Sequence, residues 1–196
     1  MPGCEQRKGA TSARSAPSFC LVADLSVGVF LAGVTLLVIG GLAKLRDPSI
    51  TVPALGALNL PDTTLTARAL GTVEIFAATA AVLWPGRATA LAVVTIYAAL
   101  TIATARLARS GDVGCGCLGR SDSPATAVHV VMDAVFALSA VLVAFHTPAS
   151  LRALMGGSIV RTVWLVALAV LMALLAQIAM SELPRAWGAS SERRVP

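Results

Sequence analysis

The chain consists of long apolar runs separated by short polar segments. Crossing about 30 Å of hydrocarbon takes about 20 helical residues. Five runs serve: Leu21 to Ala43, Ala67 to Trp84, Ala88 to Leu107, Ala125 to Phe145 and Ile159 to Met180. The second is the shortest, and Arg68 and Glu74 interrupt it. The pattern predicts an all-α integral membrane bundle of about five transmembrane helices, a multi-pass protein of the cell membrane seated in a lipid bilayer.

The segments between the runs read differently from one another. Residues 1–18 are polar, rich in Ser, Ala, Gly and Arg, and predict a disordered tail. The apolar run after them is too long for a secretory signal and lacks a cleavage site, so it is expected to be retained as the first span. Arg46 to Thr66 contains Pro48, Pro53 and Pro61, too broken for a spanning helix, and predicts an interfacial or partly re-entrant piece packed on the bundle. Trp84-Pro85-Gly86-Arg87 predicts a tight turn that makes spans two and three an antiparallel hairpin. Residues 184–196 form a second polar, basic tail, leaving 19–183 as the membrane domain. Gly28, Gly33, Gly40 and Gly41 in the first span, and Ala77, Ala78, Ala80 and Ala81 in the second, predict close helix packing, because small side chains let backbones approach in lipid.

Composition agrees: 57% of the 196 residues are apolar and 13% charged, outside the range of soluble domains. The net charge of +5 does not point to nucleic acid, because the basic residues are scattered beside span ends. With five alternating spans, one side carries Lys44, Arg46, Arg68, Arg106, Arg109, Arg120, Arg185, Arg193 and Arg194, and the other Arg7, Lys8, Arg14, Arg87, Arg152 and Arg161, 9 against 6 of the 15 basic residues. The positive-inside rule then assigns the connection after span three and the C-terminus to the cytoplasm. No Gly-rich phosphate loop, nucleotide fingerprint or hydrolase elbow is present.

Reactive chemistry is concentrated in Cys115-Gly116-Cys117, between spans three and four. Two cysteines one residue apart reach disulfide distance only if the backbone turns sharply, which Gly114, Gly116 and Gly119 permit. A disulfide strained in this way is easily reduced, as a shuttling bond must be. Inert thiols, or half of a metal site, are the alternatives. Metal ranks second to redox, since structural zinc takes four ligands and no second pair sits at usable spacing. Alternation of the spans separates Cys4 and Cys20 from Cys115 across the membrane, so a Cys20 to Cys115 disulfide is expected to be absent.

Ionisable side chains inside a membrane are expensive and are functional candidates by default. His129 and Asp133, four residues apart, share one face of span four. They are candidates to hold or relay the proton released when a thiolate forms, or they pair structurally with each other or with Lys44 and Arg46. Glu74 is likewise either a proton acceptor or the structural partner of Lys44. Asp24 reads as a helix-start residue and Gln177 as an interhelical hydrogen bonder.

Gly40-Gly-Leu-Ala-Lys-Leu-Arg-Asp-Pro48 closing span one, Glu74 inside span two and Gly114-Cys-Gly-Cys-Leu-Gly119 after span three together resemble the MauE family, part of the DoxX-like group of membrane proteins. The resemblance covers about three quarters of the chain. It implies a four-helix DoxX-like core plus a C-terminal span, and a redox role for Cys115 and Cys117. It also implies work beside a thioredoxin-like protein in maturing a disulfide-containing client, which in the family's namesake system belongs to methylamine metabolism. A membrane quinone as electron acceptor is an analogy with other small disulfide-oxidising bundles. Disulfide maturation takes place outside the cytoplasm, whereas the charge count assigns the loop inside. Either the charge asymmetry does not govern, or the loop takes electrons from a cytosolic donor and passes them through the bundle. Two other classes stand beside this thiol–disulfide oxidoreductase: a non-catalytic anchor or assembly subunit of a redox complex, and a metal-handling protein using Cys115, Cys117 and His129 for copper or zinc.

Overall fold

The computed structural model describes residues 17–110, 125–146, 163–164 and 166–179, with side chains from Leu25 onward. All regular structure among them is helical: α1 (Pro17–Arg46), a 3₁₀ turn (Pro48–Ile50), α2 (Val52–Ala57), α3 (Thr64–Leu83), α4 (Arg87–Ser110), α5 (Ala127–His146) and α6 (Val166–Ala179). Leu25–Arg46, α3, α4 and Ala127–Phe145 are long and apolar enough to cross a membrane. These correspond to the first four predicted spans, with ends moved by a few residues. α6 is a shorter apolar helix inside the fifth.

The sequence explains where each helix stops. α1 ends before Asp47-Pro48, since proline disfavours helical backbone at the residue preceding it. Asp47 then caps the 3₁₀ turn, its carboxylate accepting from the Ser49 amide at 3.2 Å and from the Ser49 hydroxyl. α2 closes at Asn59, whose φ of 57° is left-handed. The Asn59 amide donates to the Gly56 carbonyl and the Leu60 amide to the Leu55 carbonyl, both at 3.0 Å, satisfying carbonyls that the helix end leaves open. Thr63 caps α3 by accepting from the Thr66 amide at 3.1 Å. The expected tight turn joins α3 to α4, with the Thr89 hydroxyl against the Trp84 and Gly86 carbonyls, both at 3.0 Å.

Although that turn links α3 to α4, the broader interfaces are α1 with α3 and α4 with α5. The shared core draws on α1, α3, α4, α5 and α6, including Phe30, Leu37, Ala78, Val93, Tyr97 and Phe136. From α6 it takes Ala173 and Ala176; with Ala169 they make a buried small-residue stripe on an otherwise exposed apolar helix. Large apolar side chains point outward, among them Leu65, Leu138 and Phe76, the last 73% exposed. Such a surface suits lipid, where burying apolar groups between helices brings no hydrophobic gain and close packing of small residues holds the bundle instead.

The α1–α3 and α4–α5 connections leave the bundle at one end. Ala54 of α2 packs with Leu107 near the end of α4 and with Ala125 just before α5, and Leu58 and Ala108 lie against them. The proline-broken segment therefore covers the end from which the α4–α5 connection emerges.

Candidate functional site

Two glycines begin the site. At the α1–α3 crossing, a Cβ placed on Gly41 would come within 2.7 Å of the Gly71 carbonyl oxygen, and one on Gly71 within 2.7 Å of the Gly41 carbonyl. Only residues without a side chain let the two backbones meet this closely. One turn further along each helix stand Lys44 and Glu74. The Lys44 ammonium donates to both Glu74 oxygens, at 3.0 Å to Oε1 and 2.8 Å to Oε2. Lys44 is 2% exposed and Glu74 1%. Near a helix end, a lysine normally extends its ammonium outward to the polar interface. Lys44 instead keeps its ammonium buried and neutralises a carboxylate inside the bundle.

Opposite this pair, α4 and α5 contribute a second polar contact. Thr104, fully buried, has its hydroxyl 3.2 Å from Asp133 Oδ2. Both Lys44 and Glu74 act electrostatically on Asp133, so α1, α3 and α5 each bring one charged group to the cluster. Tyr97 of α4 borders it, close enough to Asp133 and Glu74 for their charges to bear on its phenol. Its hydroxyl donates to the Gly33 carbonyl at 2.6 Å, and its ring lies 5.3 Å from that of Phe136.

His129 is used differently. Thr126 occupies the position before α5, and His129, three residues on, turns Nδ1 to the Thr126 hydroxyl at 3.0 Å and accepts from the Thr126 amide at 3.4 Å. This is the returning half of a capping box, with histidine where Glu or Gln is usual. His129 and Asp133 share a helix face, as expected, but each bonds to a threonine instead of to the other.

Of the residues singled out in the sequence, Glu74 and Asp133 are brought into one cluster and His129 caps the helix beside it. Cys115 and Cys117, between α4 and α5, lie outside the described residues, as do Cys4 and the side chains of Cys20 and Asp24. Gln177 is half-buried on α6. Sequence reasoning missed Gly71, Thr104 and Tyr97. A signal existed for Gly71, which precedes Glu74 by three residues as Gly41 precedes Lys44. Thr104 and Tyr97 sit in an apolar run with nothing local to mark them. Among the described residues, no group of three or more His, Cys, Asp and Glu side chains is arranged to hold a metal ion.

One protein-family model, described as methylamine utilisation protein MauE, matches residues 21–146. That stretch runs from the first span to the end of α5 and contains the whole polar cluster. No curated protein and no solved structure matches the chain.

Proposed function

Because the chain belongs to the MauE family, we propose that this multi-pass membrane protein is a thiol–disulfide redox protein, relaying electrons through Cys115 and Cys117 to or from a thioredoxin-like partner in the maturation of disulfide-containing clients. The observation that carries the reading is Cys115-Gly-Cys117, which falls between α4 and α5 within the stretch that the family model matches. Glycines on both sides of the pair and between its members favour the sharp turn that a readily reduced ring needs.

The exchange balances between two proteins. The thiolate of one cysteine attacks a sulfur of the partner's disulfide, forming a mixed disulfide and releasing one partner thiolate. The second cysteine, as thiolate, then attacks its neighbour's sulfur and releases the other. Cys115 and Cys117 finish as a disulfide and the partner as a dithiol. Two electrons have moved to the partner, and the two protons lost here are taken up by its thiolates. The reverse sequence carries electrons the other way, and a client's dithiol or disulfide resets the pair.

Single variants Cys115→Ser and Cys117→Ser test this by trapping. One of them is expected to accumulate a mixed disulfide with a thioredoxin-like protein, visible on non-reducing gels and lost on reduction. The double variant is expected to leave clients in the wrong thiol state. Clients with unchanged thiol status in the double variant contradict the proposal.

A further inference from the structure

We propose that Lys44, Glu74, Thr104 and Asp133, one from each of the four long helices, form an intramembrane proton-binding site loaded on the Asp133 carboxyl. Charge counting comes first. Among the described residues, Lys44 is the only lysine or arginine buried in the bundle, and it engages both oxygens of Glu74. Glu74 is thereby the ionised carboxylate of the pair. Asp133 interacts with both members, yet the one ammonium is already neutralised. An ionised Asp133 leaves the cluster with an uncompensated negative charge inside the bilayer, which is expensive. One proton on Asp133 makes it neutral.

The direct contacts of Asp133 are in keeping with that count. The Thr104 hydroxyl has a single hydrogen and three oxygens in reach: the Leu100 carbonyl at 2.9 Å, the Thr101 carbonyl at 3.1 Å and Asp133 Oδ2 at 3.2 Å. The nearest is the carbonyl one turn back, the usual acceptor for a threonine inside a helix. Thr104 donates toward Asp133 Oδ2 as well, and one neutral hydroxyl does not compensate a full negative charge, which leaves a proton to do so. The other titratable groups facing Asp133 leave this count unchanged. Tyr97, from α4, spends its hydroxyl hydrogen on the Gly33 carbonyl, and His129, one turn earlier on α5, turns Nδ1 to Thr126. Asp133 lies six residues into α5, about 9 Å of helix from the end where the connections emerge.

The site stands independently of the cysteine chemistry. The test is infrared spectroscopy of the full chain in lipid nanodiscs during a pH titration, read at the carbonyl stretch of a protonated carboxylic acid, which a carboxylate lacks. The wild type is expected to show one such band from the bundle, converting to carboxylate as pH rises. Asp133→Asn removes it. Glu74→Gln also removes it, because the positive charge of Lys44 then balances an ionised Asp133. Lys44→Met gives two acid bands in place of one. Thr104→Val, a mild change, moves the band without abolishing it. Cys115→Ser/Cys117→Ser keeps it, so failure of the thiol reading and failure of this one are told apart. A wild-type spectrum without the band, or a band that survives Asp133→Asn, overturns the proposal.

Discussion

The α1–α3 and α4–α5 interfaces are built from opposite materials. Where α1 crosses α3, two glycines bring backbone against backbone and a bidentate ion pair closes the gap one turn away. Between α4 and α5 the contact is made by side chains, Tyr97 against Phe136 and Thr104 against Asp133. The first interface has its charges matched and no room to move. The second carries a carboxyl group whose direct partner among the described residues is a hydroxyl, and it is the interface whose connecting segment contains Cys115 and Cys117. On the proposed reading, one pair of helices acts as frame, and the other, with its connection, carries the groups whose protonation or oxidation state changes.

The largest test of that contrast is removal of one half of the ion pair. Lys44→Ala or Glu74→Ala breaks the buried bidentate pair and forces a proton or Asp133 to neutralise the remaining member, at an expected cost of about 3 kcal/mol. The paired replacement Lys44→Met/Glu74→Leu is expected to recover most of it. Denaturation in detergent reads both, and a Lys44→Ala cost no greater than that of Tyr97→Phe breaks the distinction between the interfaces. Next comes the glycine crossing. Gly71→Ala must push the Gly41 carbonyl away and is expected to cost about 1–3 kcal/mol. Gly28→Ala, with nothing within 4 Å of the added methyl, is expected to stay within about 0.5 kcal/mol of wild type. Equal unfolding midpoints for the two glycine variants contradict the close crossing. Tyr97→Phe loses the bond to the Gly33 carbonyl while keeping the ring contact, for about 0.5–1.5 kcal/mol by the same measurement. Thr104→Val is expected to change stability least, about 0.6 kcal/mol, a typical figure for one hydrogen bond between membrane helices. A loss as large as that of Lys44→Ala would move Thr104 from the exchanging side of the comparison to the frame.

Much of the bundle was legible in the sequence because a membrane span is announced by composition over about 20 residues, and the first four runs came within a few residues of the helices. Prolines 48, 53 and 61 likewise announced the broken segment after span one. The site was only half legible. Pairing with Lys44 was named as one of two roles open to Glu74, but the crossing that joins them depends on Gly71, marked in the sequence only by preceding Glu74 by three residues as Gly41 precedes Lys44. Gly28, by contrast, was read as a packing glycine and faces open space. For His129 and Asp133, helical spacing gives a shared face and not a shared bond. Thr126 lies within reach of the histidine as a local cap, whereas Thr104 reaches Asp133 only through the packing of α4 on α5. Local contacts leave a trace in spacing; contacts between helices do not.

The central claim, that Cys115 and Cys117 act together as a redox pair, is tested most directly by redox titration of the full-length protein in its membrane, followed by alkylation and mass spectrometry of each cysteine. The account predicts that Cys115 and Cys117 become reactive together, in one two-electron step, as the potential is lowered. Alkylation of the two at every potential, each independent of the other, would contradict it.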